Sequence, residues 1–241
     1  MVESTQTNWK KPFFLIWSGQ IFSLLGSGLV GFALIWWLTS TTGSASVLAL
    51  ATLAQILPEV FIGPFAGALV DRWNRRLVMI VADLLIATAT LALGILFFFN
   101  VVQPEFVYLI LFIRAIGGIF HWPAMQASTS LMVPEKHLTR IAGLNQTLRG
   151  VLNIATPPLG ALLISLIPTY GVIAIDVVTA LIAVTPLLFV NIPQPAQIHK
   201  AVAVTPLSML RDVREGLQYV VSWAGLSAIL IMAMLINFLV N

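Results

Sequence analysis

The sequence predicts an all-α polytopic membrane protein, a bundle of six membrane-crossing helices followed by an incomplete seventh. Three observations predict it. Of 241 residues, 59% are hydrophobic and only 9% are charged, whereas a soluble domain carries about 25% charged residues. The mean hydropathy of +0.98 implies more apolar surface than one water-soluble globule of this size can enclose. Six apolar runs are long enough to cross a ~30 Å hydrocarbon core, which takes about 20 residues. Together these exclude a water-soluble enzyme, a disordered regulator and a nucleic-acid-binding domain. The net charge of +3 comes with no basic patch interleaved with exposed aromatics.

The first run, Phe13–Leu38, follows the polar stretch Met1–Lys11. It is too long for the apolar region of a cleavable leader, so it reads as a retained span. The others are Val47–Val70, Leu77–Phe99, Phe106–Val133, Ile141–Ile167 and Val172–Val190. Short connections predict that consecutive helices pack as antiparallel neighbours. These spans define a bundle over 1–190. Residues 191–223 form the longest polar segment. Within it Thr205-Pro206 resembles a helix start, and Leu207, Leu210, Val213, Leu217, Val220 and Val221 recur at three- and four-residue spacing. An amphipathic helix at the inner membrane surface fits this pattern, as does a helix linking two bundles. The last run, Gly225–Val240, is short for a span and is followed only by Asn241, so 224–241 reads as the severed start of a second bundle.

Basic residues set the orientation. Lys10 and Lys11, then Arg72, Arg75 and Arg76, then Lys136 and Arg140, then Lys200, Arg211 and Arg214 put ten on one side, and the opposite turns hold none. This predicts a cytoplasmic N-terminus in a cell membrane.

Five ionisable residues fall inside the spans: Glu59, Asp83, Arg114, Arg149 and Asp176. Each costs several kcal/mol in hydrocarbon unless paired or hydrated, which makes each a functional candidate. At ~1.5 Å per residue, Glu59 lies about 17 Å from the basic side and Arg114 about 12 Å from the other, near one level. Asp83 and Arg149 lie about 9–12 Å above the basic side. Depth therefore allows a Glu59–Arg114 pair and an Asp83–Arg149 pair, either exchanging a proton or statically locking helices together. Asp176 reads as a structural partner.

On the fourth span, Arg114, Gly118, His121 and Met125 share one face and suit a polar seam lining a cavity. A lone membrane histidine such as His121 is more often a hydrogen-bonded packing residue than a proton carrier. Trp122-Pro123 follows, and proline can kink the helix. Gly63-x-x-x-Gly67 and Gly26, Gly28 and Gly31 are candidate close-packing positions. Pro157-Pro158-Leu159-Gly160 predicts a bend in the fifth span. There is no cysteine, no metal-ligand spacing, no nucleophile–base arrangement and no phosphate-binding loop. The expectation is therefore no enzyme, no cofactor and no metal.

The second inter-helix turn reads Gly67-Ala-Leu-Val-Asp71-Arg72-Trp-Asn-Arg75-Arg76. It resembles the signature of the major facilitator superfamily, Gly-x-Leu-x-Asp-Arg-x-x-Arg-Arg, in the family's place after the second span. Gly67 would admit a close helix, Asp71 would accept from the start of helix 3, and the arginines would anchor to the inner leaflet. Arg114-x-x-x-Gly118 is similar to the family's membrane-arginine motif, associated there with proton coupling. Pro157-x-x-Gly160 resembles the core of its antiporter bend, with Thr156 and Ala161 where glycines stand in the family. Ile16-Trp17-x-Gly19-Gln20, Phe120-His121-x-Pro123-Ala124 and Ala174-Ile175-Asp176-Val177 resemble the macrolide-efflux-like branch.

The resemblance implies a six-helix bundle of 3+3 inverted repeats, one half of a twelve-helix transporter. It further implies proton-coupled efflux of lipophilic drug-like molecules by alternating access. Arg114, Glu59 and Asp83 are then the coupling candidates, and Gln20, His121, Met125 and Trp17 the cavity-lining ones. The partners implied are the lipid bilayer, protons, a lipophilic small molecule and the second bundle. The alternative is a non-transporting remnant, or a half that works only when joined by another.

Overall fold

The computed structural model describes residues 9–194, 215 and 218–240, in two units, Met1–Ile198 and His199–Asn241. The first unit holds six helices: α1 Lys10–Thr42, α2 Ala45–Arg72, α3 Arg75–Phe98, α4 Pro104–Met132, α5 Glu135–Leu166 and α6 Thr169–Phe189. All six are long and apolar enough to cross a membrane, and no strand occurs among the described residues. The chain is a multi-pass membrane protein. Most helices start earlier than their apolar runs, because polar and turn-forming residues continue the backbone ladder. Asn74 accepts from the Leu77 N–H and caps α3. Pro104 opens α4, where its missing N–H costs nothing. Gly43, at φ 58°, closes α1 in the left-handed conformation that glycine adopts freely.

Successive helices alternate in direction, as two cores show. At the basic end, Phe13, Val70, Met79, Met132, Ile141 and Leu187 pack together, drawn alternately from helix starts and helix ends. At the opposite end, Leu34, Leu38, Ala51, Leu93, Val107 and Ile173 do the same. Gln20, Asp83, Arg114, His121 and Asp176 lie along their helices between the residues of these two apolar layers.

The packing of neighbours differs from the expectation. Apart from α3 and α4, consecutive helices touch only lightly. The extensive contacts are α1 with α6, α2 with α4, α3 with α4, α3 with α6 and α1 with α5. Exchanging α1–α3 with α4–α6 maps this set onto itself, as a 3+3 inverted repeat requires. Short turns fix direction but not partner; small residues choose the partner. A Cβ on Gly26 would lie 3.0 Å from the Asp176 Cα, and one on Gly19 would lie 3.2 Å from the Ala183 Cα, so α1 sits backbone-to-backbone on α6. Gly117 brings α4 equally close to Ala82 and Ile86 of α3.

Other expected close contacts are absent. Nothing lies within 4 Å of a Cβ built on Gly67 or Gly31, and Gly63 meets only Glu59 of its own helix. Gly31 of α1 and Gly63 of α2 border a cavity, and Gly67 lies on α2, one of the two least buried helices, with α5. α5 runs unbroken from Glu135 through Pro157 and Pro158 to Leu166. Gly160 serves there as a seat for Phe32 of α1, whose ring a Cβ would approach to 2.6 Å.

In the second unit, α7 spans Ala224–Val240 and is a short apolar helix. The amphipathic helix expected from Thr205 lies mostly outside the described residues.

Candidate functional site

A cavity of about 710 Å³ opens between α1, α2, α3, α4 and α5, within the ≈ 300–1,000 Å³ range of small-molecule sites. α1 contributes Gln20, Ser23 and Ser27, α2 contributes Gln55, Glu59 and Gly63, and α3 contributes Asp83 and Ile86. Arg114, Gly118, His121 and Trp122 come from α4, and Arg149 comes from α5. The floor is buried, whereas Glu59 and Arg149 are exposed.

Two buried carboxylates occupy equivalent places in the two repeats, Asp83 on the cavity wall and Asp176 behind it, against the wall residues Arg114 and Ser27. Asp83 is the ninth residue of α3 and Asp176 the eighth of α6. Each is held by one residue of α1 and one of α4. Asp176 Oδ2 accepts from Arg114 NH1 at 2.5 Å, and its Oδ1 accepts from the Ser27 hydroxyl at 2.9 Å. Arg114 also donates to the Thr90 hydroxyl and, at 3.2 Å, to the Ser27 carbonyl. Its charge is neutralised and three hydrogen bonds hold it, the condition under which a buried ion pair persists.

Asp83 is held differently. Its Oδ2 accepts from the Gln20 amide at 3.1 Å, and its Oδ1 lies 3.3 Å from His121 Nε2. The latter is a charge-range approach rather than an aligned hydrogen bond. His121 Nε2 and Gln20 Oε1 are both buried without a hydrogen-bond partner.

Both pairings suggested by depth are corrected by this geometry. Arg114 pairs with Asp176 rather than Glu59, because the guanidinium turns from α4 toward α3 and α6 and not toward α2. Asp83 pairs with His121 and Gln20 rather than Arg149. Arg149 instead stacks on Trp122, its guanidinium carbon 3.2 Å from the ring centroid.

Two cavity-lining expectations are corrected too. Met125 lies below the cavity, in the basic-end core with Phe13 and Ile16. Trp17 faces α5, donating from Nε1 to the Asn145 side-chain oxygen at 2.7 Å. It braces two helices outside the main cavity. Both residues line a much smaller void of about 10 Å³.

The Asp71–Arg76 turn braces helix ends. Asn74, not Asp71, caps α3, and Asp71 pairs with Arg75 at 3.2 Å while its own side chain stays 70% exposed. Such an exposed pair contributes little. The Arg75 N–H donates to Gln194 at 3.3 Å. Arg76 donates to the carbonyls of Leu187 and Leu188, satisfying the otherwise unpaired end of α6. Its charge thus serves the helix terminus.

Sequence reasoning missed Ser27, Thr90 and Asn145 as polar struts. The signal available was the equivalent placement of Asp83 and Asp176 in the third helix of each repeat. Among the described residues, no three metal-ligating side chains gather in one place.

Residues 16–241 match the family described as Major Facilitator Superfamily. The chain is 41% identical to macrolide efflux protein A of Streptococcus pyogenes over 231 residues, 96% of this chain and 56% of that protein. It is 40% identical to macrolide efflux protein A of Enterococcus faecalis over 196 residues, 81% of this chain and 59% of the relative. The multidrug efflux pump Tap of Mycobacterium tuberculosis is 25% identical over 218 residues, 87% of this chain and 51% of the pump. The chain spans about half the length of the curated relatives it matches.

Proposed function

This chain belongs to the Major Facilitator Superfamily, and from that premise we propose that it supplies one bundle of a secondary-active exporter. The exporter expels lipophilic drug-like molecules from the cell, driven by protons. The observation that carries the reading is the cavity: about 710 Å³ of space inside a membrane-length bundle, walled by polar and ionisable side chains. Ionisable groups at that depth are retained where a pathway needs them. Likeness to macrolide efflux protein A supports a drug-like substrate.

In this reading the cavity faces each side of the membrane in turn as the bundle rocks against a second one. The rim formed by α2 and α5, the least buried helices, is the face the second bundle covers, and the greater length of the relatives supports its being covalently joined. The protein sits in the cell membrane with its N-terminus cytoplasmic, as the distribution of basic residues favours. Of the coupling candidates, Arg114 is permanently charged and engaged, so its part is to hold Asp176. Asp83 and Glu59 are the ones able to change charge.

The test is accumulation of a fluorescent macrolide in cells expressing the gene that carries this chain. Expression lowers accumulation several-fold, a protonophore restores it, and Arg114→Ala abolishes the effect. Accumulation unchanged by expression, or efflux indifferent to the protonophore, refutes the corresponding part of the reading.

A further inference from the structure

We propose that Asp83, His121 and Gln20 form the proton-binding site of this bundle, and that the Arg114–Asp176 cluster is a structural ion pair. The argument begins with charge. Arg114 and Asp176 cancel at 2.5 Å, so that cluster is neutral without any proton. Asp83 has no permanent cation beside it. With a neutral imidazole the site carries one uncompensated buried negative charge, and a single added proton removes it.

Hydrogen-bond capacity points the same way. Gln20 is fully buried and His121 nearly so, yet Gln20 Oε1 and His121 Nε2 lack partners. Both flank the same carboxyl group. In the orientation observed, the Gln20 amide donates to a carboxylate. Turned over, it offers Oε1 to the O–H of a carboxylic acid, so the same amide can serve the carboxyl group in either protonation state. The Asp176 cluster has no such reserve.

Access is present as well. Gln20, Asp83 and His121 all lie on the cavity wall. The other charged groups there are Glu59 from α2, Arg114 from α4 and Arg149 from α5. α6 presents only Asp176, held by Arg114, and α1 presents no titratable group toward the site. Arg149 is stacked on Trp122, which leaves His121 as the basic partner of Asp83. One proton, released from a hydronium ion that leaves as water, forms one new O–H bond at an Asp83 carboxylate oxygen, beside Gln20 and His121. The site passes from one negative charge to none, and release of the proton reverses it.

Use of this site in transport rests on the proton-driven reading above; its titration does not. The test is pH-difference infrared spectroscopy of the purified chain in detergent micelles. A buried carboxylic-acid carbonyl band titrates in the parent chain, is lost in Asp83→Asn and survives in Glu59→Gln. In His121→Gln its midpoint moves, because the imidazole 3.3 Å from Oδ1 is one of the two polar groups that flank the carboxyl group. A band that persists in Asp83→Asn overturns the proposal. Where Asp83→Asn fails to fold, an unmoved midpoint in His121→Gln overturns it instead. A titrating Asp83 combined with efflux indifferent to protonophore refutes the coupling and leaves the site standing. Proton-driven efflux with no Asp83 band does the reverse.

Discussion

The two buried carboxylates occupy corresponding places in the two repeats, and each is gripped from α1 and α4, yet their surroundings differ. Asp176 meets the Arg114 guanidinium and the Ser27 hydroxyl, Arg114 in turn meets Thr90, and no buried side-chain atom of this cluster lacks a partner. Asp83 meets an amide and an imidazole that between them leave two such atoms unpaired. A symmetric scaffold thus carries one cluster suited to permanence and one suited to change. The difference lies in the partner: Arg cannot lose its proton under any ordinary condition, and His can.

The comparison breaks most visibly at the permanent cluster. Asp176→Asn leaves Arg114 buried without its counter-charge and lowers stability by about 3–5 kcal/mol, the cost of breaking a buried pair from one side. Thermal unfolding in detergent measures this, and replacing both partners with apolar residues restores much of the loss. Gly26→Ala presses a methyl against the backbone of α6 beside Asp176 and costs about 1–3 kcal/mol, the range for overpacking. Asp83→Asn costs less than Asp176→Asn, on the order of 1 kcal/mol, because it strands no fixed charge. An equal loss at both acids would mean that His121 is permanently protonated. Trp17→Phe removes the bond to Asn145 and costs about 1 kcal/mol by the same measure. Gly67→Ala, with nothing within 4 Å of the added carbon, stays within about 0.5 kcal/mol.

The six spans are legible in the sequence because a run of about 20 apolar residues rarely occurs except where a chain crosses a bilayer. Alternation of direction follows from the short turns. What the sequence obscures is position in the plane of the membrane, and two residue placements show this from opposite sides. Glu59 and Arg114 share a depth but point to different neighbours: spacing along a helix gives height, not the identity of the helix across from it. Met125 does share a face of α4 with Arg114, Gly118 and His121, but it lies past the end of the cavity among Phe13 and Ile16. There periodicity gives the azimuth and leaves the floor of the cavity unmarked. The asymmetry between the two acids needs both coordinates at once, and only the packed bundle supplies them.

The crossed grip on the acids also bears on how the bundle assembles. Asp83 takes Gln20 from its own repeat and His121 from the other, while Asp176 takes Arg114 from its own and Ser27 from the other. Neither three-helix repeat can settle its acid by itself. As the chain emerges N-terminus first, α1–α3 enter the membrane with Asp83 half-served, and only the arrival of α4 completes it. The same arrival brings Arg114, which waits in turn for α6. Each repeat withholds a ligand that the other requires, so the six helices form one cooperative unit rather than two modules side by side.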